Sequence, residues 1–110
     1  MFGAIILLAS LIGAATPEQA FMAGSQAAMN KMMVAMSAPS SGDVDVDFVN
    51  QMEPHHQSAI DMAKLQLKYG RNPTLRRLAQ ETIVSQGQEI RVMRNAIGRP
   101  TGSSVQGAKP

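Results

Sequence analysis

His55 and His56 are the only two histidines of the chain, and they stand side by side directly after Pro54, with Met52 before them and Met62 after. On a helix, residues three or four apart share a face. Met52 therefore stacks over the pair, and Met62 follows one to two turns later. Imidazole and thioether are borderline and soft donors, a set that suits Cu(I) and similar ions. The plainer alternative is a helix core that happens to hold two histidines. The methionines framing both rings are what point towards a metal.

Further donors fall on two other stretches. Met22, Met29, Met33 and Met36 recur at helical spacing, with Met32 on their flank. Gln86, Glu89 and Met93 share another helical stripe, where Gln86 interrupts an otherwise apolar line. Methionine also fills irregular cores, so a methionine stripe alone is more often packing than ligand. The expectation of a site rests on all three stretches pointing into one bundle interior, as metal sites in bundles do. Three other chemistries fit less well. Asp43, Asp45 and Asp47 alternate as in a calcium loop, but Phe48 and Pro54 stand where the glycine and the closing glutamate belong. Glu53-x-x-His56 matches half of a di-iron carboxylate motif, which needs a second copy and two more glutamates. Ser58 or Asp61 beside His55 on one helix does not give nucleophile, base and orienter geometry.

The elements that must position these groups read as an all-α bundle of three main helices. The first is expected over Phe21 to Met36, with good helix formers Ala27, Ala28 and Ala35. Ser37 to Gly42 is a loop by composition. Helix two opens at the aspartates, which cap free N–H groups, and ends at about Tyr69 before Gly70. Pro54 inside it removes a hydrogen bond from the Asn50 carbonyl and predicts a bend at the histidines. Asn72-Pro73 caps helix three, Gly98 and Pro100 stop it, and Gly87 is a place for a neighbouring helix to approach. The polar, Gly- and Ser-rich residues 99–110 form a disordered tail.

With 110 residues, this is one small domain with few aromatic side chains to fill it. Its net charge of +2 comes from scattered basic residues without an aromatic platform, so no nucleic-acid partner is expected. No cysteine is present, which excludes disulfides and thiolate sites. Residues 1–20 read as a signal-like segment: Phe2 to Ala15 is almost wholly apolar and too short to span a bilayer, where about twenty residues are needed. Gly13-Ala14-Ala15 meets the small-x-small cleavage rule better than Glu18-Gln19-Ala20. No basic residue precedes the run. Cleaved, it implies a periplasmic or secreted domain over residues 21–98 with no stable membrane span; retained, it is a candidate fourth helix.

Asp45-x-Asp47-Phe48-Val49-x-x-Met52-x-Pro54-His55-His56-x-x-Ala59-Ile60-x-Met62-Ala63, followed by Gln86, Glu89-Ile90 and Met93, resembles the CopM-like family of small bacterial exported proteins, whose domain is catalogued as one of unknown function, number three hundred and five. The resemblance covers about Phe21 to Gly98. It implies a ferritin-like antiparallel bundle that binds Cu(I), and also Ag(I), through Met and His, without catalysis or an organic cofactor. In this chain Gln51 and Glu53 stand where the family usually has methionine and isoleucine. The expected ligands are Met52, His55, His56 and Met62, closed by Met29, Met33 and Met93, with Gln86 and Glu89 orienting an imidazole. A homodimer or a metal-exchange partner protein would accompany such a role. The rival expectation is a metal-free, Met-rich helical module for interaction or oligomerisation.

Overall fold

A computed structural model describes residues 13–100. It contains three helices, α1 (Pro17–Ala35), α2 (Val44–Tyr69) and α3 (Pro73–Ala96), and no strand among the described residues. The signal-like stretch before Gly13 and the tail after Pro100 lie outside them.

Each helix starts where its first-turn N–H groups find an acceptor. In α1 the Gln19 N–H donates to Thr16 Oγ1 at 3.1 Å, and the Thr16 N–H donates back to Gln19 Oε1 at 3.0 Å. This reciprocal box with Pro17 behind it starts α1 four residues before the expected Phe21. Asp43 caps α2 by accepting from the Asp45 and Val46 N–H groups, and Asn72 caps α3 by accepting from Thr74 and Leu75. At the far end of α2, the Arg76 guanidinium donates to the Leu67 and Gly70 carbonyls, which the helix leaves unpaired.

The helices run up, down and up, and α2 is the middle one. Both α1 and α3 pack against α2, but not against one another. The seams are made by small residues. Ala28 is the buried residue of α1, and a β-carbon on Gly24 would come within 2.6 Å of the Leu65 side chain, which packs against the bare backbone there. Gly87, expected to serve this purpose, has only the Arg91 side chain nearby. Val49, Ile60 and Ala63 of α2 and Ala79 and Ile90 of α3 are the rest of the buried core. The helix α2 continues unbroken through Pro54, whose ring lies beside Ala28, Met32 and Ala35 of α1.

The two open sides of α2 differ. One carries Asn50, Gln57 and Asp61, with Lys31 of α1 donating to Asp61 at 3.4 Å and Arg99 donating to Asn50 at 2.7 Å. The other is a trough between α1 and α3. At its floor and walls Phe21, Ala59, Met62, Gln66, Leu75 and Leu78 line an open cavity of about 340 Å3.

Two stability changes follow. Ile60→Ala, in the α2–α3 seam, lowers unfolding free energy by about 2–4 kcal/mol in a denaturant titration, whereas Val84→Ala, on the surface, shifts it by less than about 0.5 kcal/mol. Asp47 accepts from the Ser41 N–H at 2.8 Å and from Ser40, and these bonds hold its carboxyl below the ordinary 3.8. A carboxyl so lowered stabilises the fold above its unfolded value and loses that contribution as pH falls through the folded one. Asp47→Asn is therefore less stable than wild type at neutral pH, and the two melting temperatures converge below about pH 3.8.

Candidate metal centre

His56 is the best-placed ligand. Its side chain is 13 % exposed and sits in the α2–α3 seam. Nδ1 lies 3.0 Å from the Met52 carbonyl, one turn back on the same helix. Nε2 meets Glu89 Oε2 of α3. A carbonyl and an ionised carboxylate both accept, so a ring with a single N–H donates to only one of them. The Met52 carbonyl is the kind of outer contact that fixes a ligand's tautomer, and Glu89, expected to orient an imidazole, meets the opposite nitrogen of the same ring. Glu89 stands on the Nε2 side of the ring, the side on which a metal ion would have to bind.

Each of the two helices carries a methionine one turn from this contact. The Arg94 Nε–H donates to Glu53 Oε1 at 2.7 Å, so residues 53 and 94 are level across the seam. Their neighbours Met52 and Met93, both half-buried, are level too, one turn from His56 and Glu89 respectively. Arg94 also resolves the charge that Glu53 brings beside the histidines: the carboxylate is ion-paired. In the sequence Arg94 is one of the scattered basic residues, with nothing to set it apart. A pairing between residues forty-one apart leaves no local signal.

The other expected donors are placed differently. His55 is exposed and, about 100° round the helix from His56, falls on the trough stripe with Ala59, Met62 and Gln66. Met62 is in that trough facing Leu75 and Leu78, about 9 Å along the axis from His56 at 1.5 Å per residue. Gln86 is half-buried one turn before Glu89. Met29 and Met33 are 48 % and 65 % exposed and face away from the bundle interior. The α1 face against α2 is instead Gly24, Ala28, Met32 and Ala35. Among the described residues no three carboxylates or imidazoles converge. A di-iron type of centre would need carboxylates from beyond these residues.

A family model described as "Domain of unknown function (DUF305)" matches residues 11–97. The chain belongs to this family. The match spans all three helices and with them His56, Glu89 and both flanking methionines. No curated protein matches the chain. Within this DUF305 fold no described helix is long and apolar enough to cross a membrane.

Because Arg94 and Glu53 remain about a third exposed, Arg94→Met costs less than about 1 kcal/mol of stability. A double-mutant cycle with Glu53→Gln reads the coupling directly.

Proposed function

We propose that the protein binds copper, as Cu(I), in the cell envelope and acts without catalysis, sequestering the ion or passing it on. Ag(I) is taken by the same donors. The observation that carries this function is the setting of His56: Nδ1 is held by a backbone carbonyl, Nε2 is directed at a carboxylate from the next helix, and Met52 and Met93, one on each helix, lie level with each other one turn away towards the Glu53–Arg94 pair. Two thioethers with one imidazole form a soft donor set suited to Cu(I). Thioethers have no proton to lose, so such a site holds its ion over a wide pH range. Glu89 supplies a nearby negative charge that favours a cation.

The start of α1 supports export. The Thr16 cap falls directly after Gly13-Ala14-Ala15, so a cut there leaves the helix whole, whereas a cut after Ala20 removes its first turn. The mature chain then begins at its own helix cap.

A metal-free interaction module is the second reading, favoured by Met22, Met29, Met33, Phe48, Leu75 and Leu78, all about half exposed or more. Titration with Cu(I) under reducing conditions separates the two. Metal binding raises the melting temperature in proportion to affinity; association without any thermal shift favours the module. Replacing both His55 and His56 with alanine lowers Cu(I) affinity at least about tenfold, or ~1.4 kcal/mol, in a competition assay, with helical circular dichroism nearly unchanged. Equal affinity in that double variant ends the proposal.

A further inference from the structure

One motif of the sequence is left without a task. Glu53-x-x-His56 places a carboxylate and an imidazole three residues apart on one helix, with their β-carbons about 5–6 Å from each other on the same face. The di-iron carboxylate bundles use this spacing to turn both groups inward on their metals, and they add carboxylates from facing helices. A facing carboxylate is present here too, since Glu89 of α3 meets His56 Nε2. Glu53, His56 and Glu89 are therefore the parts of a site with two carboxylates and one imidazole, a donor set for Zn(II), Co(II) or Mn(II) more than for Cu(I). The parts are not assembled: among the described residues no three such groups converge. Glu53 is engaged elsewhere, its Oε1 accepting from the Arg94 Nε–H at 2.7 Å.

We propose that Arg94 is the specificity-determining residue of the centre: by holding Glu53 it keeps a divalent-cation site from closing around His56 and Glu89. His56 is then left to the soft donors Met52 and Met93. The inference rests on the copper reading above for what the centre takes, and adds what the centre refuses. Two effects act together. The first is occupancy, because drawing Glu53 onto an ion at His56 leaves the Arg94 guanidinium without its carboxylate. The second is charge. Coulomb energy scales with the product of the charges, so Arg94 repels a divalent ion at His56 twice as strongly as a monovalent one at the same place. Glu53, Arg94 and His56 are all partly buried in the seam, where such charges are screened less than on an open surface. The guanidinium does not lose its proton in a folded protein, so the discrimination is permanent.

The other cations of α3 and its end have different partners. Arg99 donates to Asn50 at 2.7 Å, and the Arg91 guanidinium lies over Gly87, one turn back on its own helix. Arg94 is the cation that the Glu-x-x-His motif meets. A pair that only set the register of α2 against α3 would alter the affinity for Cu(I) when broken. It would not create an affinity for a divalent ion that depends on Glu53.

Co(II) is the probe, since its visible absorption reports the nitrogen and oxygen ligands around it. Arg94→Leu, which brings no donor of its own, should bind Co(II) at least about tenfold more tightly than wild type, while its Cu(I) affinity stays within about threefold. Adding Glu53→Gln to that variant should return Co(II) binding to the wild-type level. Arg94→Lys, which keeps the charge, should behave like wild type towards both ions. Helical circular dichroism, recorded on each variant, should match that of wild type. Unchanged Co(II) affinity in a folded Arg94→Leu chain, or a gain that survives Glu53→Gln, overturns the proposal. A gain that depends on Glu53, in a protein whose wild-type form takes up no Cu(I), upholds the hold of Arg94 on Glu53 and overturns the copper function instead.

Discussion

The arrangement depends on one helix serving two neighbours that never meet. Because α1 and α3 pack only on α2, every long-range contact of the bundle runs through Val44–Tyr69. A helix in that position needs two packing seams. It meets the demand with Val49, Ile60 and Ala63 towards α3 and with Pro54 and Ser58 towards α1. Of the two sides left over, one is wet and polar and the other apolar. The core is correspondingly thin: its six buried residues are alanines, one valine and two isoleucines. Small residues at the seams let the backbones come close, and the larger side chains are left at the edges. A chain of this size buries only a modest share of its surface on folding, and a layer three helices wide buries less than a closed bundle would.

Register between α2 and α3 is set by polar contacts. Glu53 with Arg94, His56 with Glu89 and Asn50 with Arg99 form a ladder along one seam. Each is partly exposed and contributes little to stability alone. Their effect is positional. Sliding α3 by one residue would rotate Glu89 away from His56 and take Met93 out of level with Met52. The same ladder explains how a glutamate beside the histidines is accommodated: Glu53 is paired with an arginine and its charge is spent there.

The helices were legible in the sequence because their ends are marked by side chains with local chemistry. Asp43, Asn72-Pro73 and Gly70 announce their boundaries through capping and sterics. At Gly70, φ is −80°, and what excludes a β-carbon is the Gln66 carbonyl 2.6 Å from where it would stand. The start of α1 was missed because Thr16 and Gln19 act as a pair, and neither breaks the apolar run by itself. The methionine stripe of α1 was expected to point into the bundle interior with Met29 and Met33 as ligands, yet its face against α2 is Gly24, Ala28, Met32 and Ala35. Periodicity gives the spacing of a stripe but not which of two adjacent stripes a neighbour covers. Small residues carry little hydrophobic weight, so a stripe of them is easily outranked by methionines that remain outside. His56 and Glu89 were both singled out in advance. Their direct contact, and the Met52 carbonyl on the other nitrogen, needed the helix register that only packing supplies.

An exposed methionine is costly for a fold and useful for capture. Unbranched and polarizable, it adapts its rotamers to whatever lies against it, whether a soft cation or an apolar surface. On this molecule the two uses share one boundary. The donors around His56 lie in the α2–α3 seam at the edge of the trough, and His55 lies in the trough stripe itself. Any surface laid over the trough therefore changes the solvent and the ligands seen by the histidine pair. Conversely, a cation bound between Nε2 and the thioethers would tie α3 to α2 at the level of the His56–Glu89 contact. Covering the face and binding the ion are then coupled through the same two helices, and coupling between two binding events is reciprocal by necessity. A separate core for folding and a separate pocket for metal would lack that property. The incompleteness of the three-helix layer is what brings them together.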